Sequence, residues 1–304
     1  MSFFDTVQRW VAEPPPDHLF EITETSLSAV SSRNPAQPRE QVFAERALSV
    51  SPSTSTLVKP ELYRQAFQKL QNGTFAKHMG AALVIPDYAV RMTILDFEEF
   101  PPGDPERNAL IRFRLRKSVP FHIEEAQVSY AIQLQIPKRI EVLAVAIAKP
   151  ILNEYEALFA EAGYQVGLIA PSAIATLPLC QSNDTGFTIV AKAAGTTLTV
   201  LLLEQGVIRL VRCLNLASPD EDGITVEGEL SVLDLVQQTL AYAEDQLGQS
   251  VKRLLLCGFG AETDLLGKLA QKEFGIPYAN LRSRFGAASQ ENAGLLGLLE
   301  QYVA

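Results

Sequence analysis

Two segments far apart in this 304-residue chain share a pattern suited to gripping a phosphate. Phe20-Glu21-Ile22-Thr23-Glu24-Thr25-Ser26-Leu27-Ser28-Ala29-Val30 and Val190-Ala191-Lys192-Ala193-Ala194-Gly195-Thr196-Thr197-Leu198-Thr199-Val200 each read as a strand, a short polar turn and a second strand. A turn of that kind can aim backbone N–H groups at an anion, and Thr25, Ser26, Gly195, Thr196 and Thr197 are the residues that would donate. A third element, Gly258-Phe259-Gly260, follows the apolar run Arg253 to Cys257. The residues that would finish a polyphosphate site are missing. Thr23 is β-branched and tolerates poorly the dihedrals that bring a turn's backbone close to a phosphate, and Glu24 would set like charge beside one. Ala191 and Ala193 give the second turn neither a carboxylate for a metal-bound water nor a glycine. Lys192 should lie on the strand face opposite Ala191, as a solvated lysine. Phe259 is expected to fill space rather than stack on a ligand.

Other chemistries have less support. His18, His78 and His122 are isolated from Cys, Asp and Glu at ligand spacings, so no metal site is expected. Cys180, Cys213 and Cys257 sit in apolar runs and read as buried, reduced thiols. There is no Walker-type loop, Gly-x-Ser-x-Gly elbow or Cys-x-x-Cys. A net charge of -9 argues against nucleic-acid binding, which needs clustered cations. The exception is local: Arg107, Arg112, Arg114, Arg116 and Lys117 concentrate positive charge in one helix, as a solvated face or as a strip for an acidic partner or an anionic bilayer. Pro120 and Phe121, just beyond, read as a helix stop with a core anchor, or as one wall of a peptide groove.

Stepping along the chain, Met1 to Glu13 is a short amphipathic segment, and Ser31 to Pro38 is turn-like. Strands are expected over 41–50, 81–86, 89–95, 128–135, 140–148, 164–169 and 253–257, and helices over 60–72, 105–117, 150–162, 172–179, 227–248, 263–274 and 291–302. Gly73 should close the first helix. The second hairpin extends through Gly206 to Arg212 into a three-strand meander. In the last helix Gly294 and Gly297 share one side. With 47% hydrophobic and 20% charged residues, the chain can bury two cores. It has no secretory-type start and no apolar run of about 18 to 20 residues, so a cytosolic place is expected.

Lys117-Ser118-Val119-Pro120-Phe121, then Glu124-Glu125 and Tyr130, then Ala144 to Lys149, Ala162-Gly163-Tyr164 and Ala293-Gly294-Leu295, occur in an order that resembles the PilM-type type IV pilus assembly proteins. These are actin-like relatives of the cell-division protein FtsA. The resemblance covers the chain after about Asp17. It implies an α/β fold: an actin-like (ribonuclease H-like) duplicated core in two lobes with an inserted α+β subdomain. The corresponding divisions are an N-terminal tail (1–17), first lobe (18–80 and 164–182), inserted subdomain (81–163), second lobe (183–288) and C-terminal helix (289–304). Against the family's Ile-Asp-Ile-Gly-Ser-Ser-Ser hairpin, this chain has Phe20 to Ser26. The family's metal-side Asp is replaced by Ala191, and its Gly-Gly pair by Gly258-Phe259.

The expected function is therefore a cytosolic scaffold of a pilus or related secretion platform at the inner face of the inner membrane. It would bind the cytoplasmic N-terminal tail of a PilN-like membrane protein, with Arg112, Arg116, Pro120 and Phe121 as groove candidates. The degenerate nucleotide residues are Glu21, Thr23, Thr25, Ser26, Gly195, Thr196, Thr197, Gly258, Phe259 and Gly260. Neither catalysis nor a cofactor is expected. Two alternatives stay open: an ATP- and magnesium-binding switch with diverged phosphate loops, and a cytoplasmic type II secretion component. Peripheral membrane contact and self-association also stay open.

Overall fold

The computed structural model describes residues 16–53, 57–71, 79–180, 186–215 and 226–303. The readings on Met1 to Glu13, Gly73 and His78 lie outside them.

Strand β1 (His18–Ile22) turns back into β2 (Ser26–Ser31), which turns into β3 (Asn34–Val42). The expected turn over 31–38 and strand over 41–50 are corrected here. Pro35 and Pro38 fit inside β3 because it pairs only with β2, so a missing N–H need not break a second ladder. Between β3 and the next helix, Leu48 bridges to Leu57, the one such pair among the described residues there. Helix α1 (Pro60–Leu70) buries Tyr63, Ala66 and Phe67 on the sheet. Strand β4 (Met79–Ile85) then lies parallel to β1.

The insertion follows. Strand β5 (Arg91–Phe97), helix α2 (Asp104–Leu115) and the hairpin β6 (Ala126–Ile136) and β7 (Arg139–Ala148) form a three-stranded sheet in the order β5-β7-β6. Pro105 occupies the first turn of α2, where its lost N–H has no helical partner in any case. One sheet face packs on Ile111 and Leu115 of α2. Helix α3 (Lys149–Glu161) and β8 (Tyr164–Pro171) return to the first sheet.

This corrects the boundaries expected for the subdomain. The strand of 81–86 pairs with β1 and β8, and the helix of 150–162 buries Ile151, Tyr155, Leu158 and Phe159 in the first-lobe core. Phe159 meets Phe20 and Phe67 edge-on at centroid distances of 5.1 and 4.9 Å. Aromatic packing of this kind adds to area burial, so α3 is fastened to the first lobe. The insertion proper lies between Val90, still in the first-lobe core, and Lys149.

A short helix α4 (Ser172–Ala175) carries the chain across to β9 (Phe187–Ala194), β10 (Thr197–Glu204) and β11 (Val207–Asn215). Helix α5 (Val226–Leu247), strand β12 (Val251–Cys257), helix α6 (Thr263–Phe274) and β13 (Tyr278–Asn280) complete the second lobe. The two sheets read β3-β2-β1-β4-β8 and β11-β10-β9-β12-β13. Each is a three-strand antiparallel meander whose first strand pairs with a parallel strand, to which a second parallel strand adds at the edge. Both faces of each sheet are covered, which explains the near-continuous burial along β4, β9 and β10.

Helix α7 (Ala293–Tyr302) brings the chain back to the first lobe and buries Leu295, Leu296, Leu298 and Leu299 against Leu19, Val30, Ala82 and Val84. Its small-residue side faces the crossing. A Cβ on Gly297 would lie 2.0 Å from the Ala175 carbonyl oxygen, and one on Gly294 would lie 2.9 Å from Ser172 Oγ.

Candidate functional site

The β1–β2 and β9–β10 turns meet across the cleft between the lobes. Glu24, at the first turn, is 3% exposed and points into the second. Its Oε1 accepts hydrogen bonds from the Thr196 amide (3.2 Å) and the Thr196 hydroxyl (2.8 Å), while Oε2 pairs with Arg46 Nε at 2.9 Å. Gly195 leaves room for this: a Cβ there would come within 2.8 Å of the Glu24 carboxyl. A protein carboxylate thus occupies the Thr196 donors, two of those that the sequence offered to a phosphate.

The remaining turn groups are used locally. Thr23 and Ser26 share a hydroxyl hydrogen bond of 2.6 Å, the Thr23 carbonyl accepts from Tyr63 Oη, and the Thr25 amide donates to Thr23 Oγ1 at 3.4 Å. Thr197 Oγ1 is buried with no hydrogen-bond partner among the described residues.

Deeper in, three segments of the first lobe converge on the second. Glu21, 1% exposed, accepts from Ser172 Oγ at 2.5 Å and from the Leu295 amide at 2.8 Å, joining β1 to α4 and α7. Burial pushes its carboxyl above the usual range, against the pull of Lys192 and these two donors. Asp87, just past β4, accepts from the Ala173 amide at 2.7 Å and Thr199 Oγ1 at 2.9 Å. Lys192 Nζ lies 3.8 Å from Asp87 Oδ2.

Lys192 therefore overturns its expected solvation: it is 2% exposed. It does point away from the Ala191 face, but that second face packs on the crossing helices instead of water. Burial opposes its charge, yet Asp87 and Glu21 hold its pKa above the ordinary value. Asp87, Ser172 and Thr199 were not singled out from sequence. The available signal was a carboxylate just past the C-terminal end of a buried parallel strand, where α/β sheets gather functional groups.

At the end of β12, Gly258 has φ +86° and approaches so closely that a Cβ would sit 1.9 Å from the Ala193 carbonyl oxygen. Phe259 is half-buried and packs against the second-lobe core. Gly260 opens the turn into α6 and, with Gly258, Thr263, Asn280, Arg282 and Glu291, lines a cavity of about 300 Å³.

A polyphosphate fits the remainder poorly. Its charge at the Thr196 amide would meet Glu24, and Ala191 provides no metal-side oxygen on that strand face. Cys180 and Cys257 are buried and Cys213 is half-buried, and all three are free thiols.

The groove candidates are not brought together as one strip. Arg112 donates to the carbonyls of Ile123 (2.6 Å) and Ala126 (3.2 Å), tying α2 to its own sheet, while Arg116 pairs with exposed Glu124 at 2.5 Å. Phe121 is half-buried between the insertion core and the first-lobe core, and Pro120 is exposed beside it. The insertion also reaches the second lobe. Gln133 exchanges two hydrogen bonds with the backbone of Ile208, at 3.1 and 2.9 Å, and Glu141 pairs with Arg209 at 2.5 Å.

No protein-family model matches the chain, and no curated protein matches its sequence. Among solved structures it is similar to a chain of a PilM–PilN type IV pilus biogenesis complex, at 16% identity and a TM-score of 0.77, over 96% of this chain and 100% of that one. It is also similar to a Bacteroides thetaiotaomicron protein with an actin-like ATPase fold, at 13% identity and a TM-score of 0.55, over 92% and 94% of the two chains. Two sheets of one topology, a subdomain inserted after the fourth strand and these full-length likenesses give the chain the actin-like two-lobe α/β fold.

Proposed function

We propose that this protein is an actin-like scaffold that binds the cytoplasmic tail of a PilN-like membrane protein, at the inner face of the inner membrane, without hydrolysing ATP. The observation that carries this reading is the Glu24 carboxylate on the Thr196 amide and hydroxyl. In a nucleotide-driven hinge, the ligand's phosphates would bridge the two turns. Here a side chain does so, and Asp87 adds a buried link to Thr199 of the second lobe. The fold is then held together without a ligand, as suits a part that works by contact. The structural likeness to a PilM–PilN complex supports the choice of partner. A tail lying between first lobe and insertion would pass Pro120 and Phe121, whose neighbourhood joins both cores. Among the described residues, no helix is long and apolar enough to cross a membrane, which suits anchoring through a partner.

Calorimetric titration with Mg-ATP should show no binding, and ATP should leave the melting temperature unchanged, because a ligand of the native state must raise it. Capture experiments with cytosolic tails of membrane partners should yield a complex. Clear micromolar ATP binding would favour the second reading, an ATP-binding switch, for which the cavity of about 300 Å³ beside Gly258 is the supporting feature.

A further inference from the structure

The outer ridge of α2 has a composition that the scaffold reading leaves unused. Ile111 and Leu115 face the insertion core, so the opposite side of the helix faces solvent. Along that side Pro105, Ala109 and Phe113 recur at every fourth position, Lys117 follows in the turn just past the helix, and all four are exposed. Phe113 is 68% exposed, the largest fraction among the exposed large hydrophobic residues described. Arg114 and Lys117 flank it, and among the described residues neither forms an ion pair. The Arg114 guanidinium lies over the Phe97 ring, 5.2 Å from its centroid, which holds the charge beside the ridge while the residue stays exposed. Arg116 adds a charge largely matched by Glu124.

A protein of net charge -9 is repelled as a whole by an anionic surface, so a local cationic site also sets the orientation of approach. The C-terminal end of a helix favours cations, which accounts for charge here but not for a protruding phenyl ring. The ridge is convex: it presents a ring outward instead of enclosing one. That geometry suits a soft apolar phase beneath a layer of phosphates better than it suits a peptide, which is held in a groove.

We infer that the ridge Ala109–Phe113–Lys117, with Arg114, is a contact site for an anionic lipid bilayer, with the Phe113 ring entering the headgroup boundary and the two cations beside lipid phosphates. This goes beyond the partner-binding reading and does not depend on the nucleotide cleft. Such a contact is weak alone, because one ring and two cations give less than the two signals needed for stable anchoring.

The test is co-sedimentation of the full chain with vesicles of phosphatidylglycerol and phosphatidylethanolamine, and with phosphatidylcholine vesicles as the neutral control. Binding is expected only to the anionic vesicles. Phe113→Asp should lower the partition coefficient about tenfold, and Arg114→Ala or Lys117→Ala about fivefold each. Because these side chains are exposed, each variant should melt with the parent protein. Three results would overturn the inference: no binding to anionic vesicles, binding that Phe113→Asp leaves unchanged, or binding that soluble polyglutamate competes away regardless of residue 113. The second result would assign lipid contact to another part of the chain, and the third would mark a strip for acidic polypeptides.

Discussion

The β1–β2 turn and the β9–β10 turn hold equivalent places in two sheets of the same strand order, but their chemistry is complementary. The first lobe brings carboxylates to the cleft: Glu21, Glu24 and Asp87. The second brings donors: the Thr196 amide and hydroxyl, the Thr199 hydroxyl and the Lys192 ammonium. In a symmetric phosphate clamp both turns would offer donors to one shared anion. Dividing acceptor and donor between the halves lets them bind each other. A duplicated architecture can thus keep its topology while its two copies stop doing the same job.

The comparison can be broken most severely at Asp87. Asp87→Ala removes three contacts and leaves Lys192 charged and buried, so urea denaturation should show a loss of about 3–5 kcal/mol. The double variant Asp87→Leu with Lys192→Met should be less destabilised than the sum of the single changes, because it removes both charges together. Strict additivity would show that the two residues are not partners.

A smaller effect is expected at Glu24. Glu24→Ala should cost about 1–3 kcal/mol and speed hydrogen exchange at the Thr196 amide, and adding Thr196→Ala should cost little more. Unchanged exchange at Thr196 would remove the acceptor–donor contrast between the turns. Gln133→Leu strips two partners from the Ile208 backbone and should cost about 1–2 kcal/mol, read by chemical denaturation.

The mildest test is by pH. Burial raises the Glu21 pKa in the native state above its ordinary 4.5, so the native protein holds that proton more tightly than the unfolded chain does. Stability from this group therefore falls as pH rises from about 4.5 to the raised value, then levels off. Glu21→Gln lacks that titration, so wild-type stability minus variant stability should decline across the same window. A difference that climbs with pH would mean that Lys192 outweighs burial.

Much of this was legible in the sequence, because strand period and turn residues are local signals. Both hairpins, the meander and the helix over 263–274 followed from them. The lapses were tertiary. Pro35 and Pro38 argued against a strand until β3 was seen to be an edge. The 81–163 boundary failed because β4 and α3 belong to the first lobe through pairing and packing with residues distant in sequence. At the site, missing Asp and Gly types were visible in one dimension, but what took their place was not. Lys192 looks solvated beside Ala191 until the crossing helices cover its face. Asp87 gains its role from Ala173 and Thr199, residues 86 and 112 positions away.

The Gln133–Ile208 exchange has a mechanical consequence. A side-chain amide there reproduces both bonds of a strand pairing, so the insertion is stitched to the edge of β11 as well as joined by chain to the first lobe. Tension applied to the insertion is therefore shared between the two halves in parallel, and part of it never passes through the four-residue helix α4.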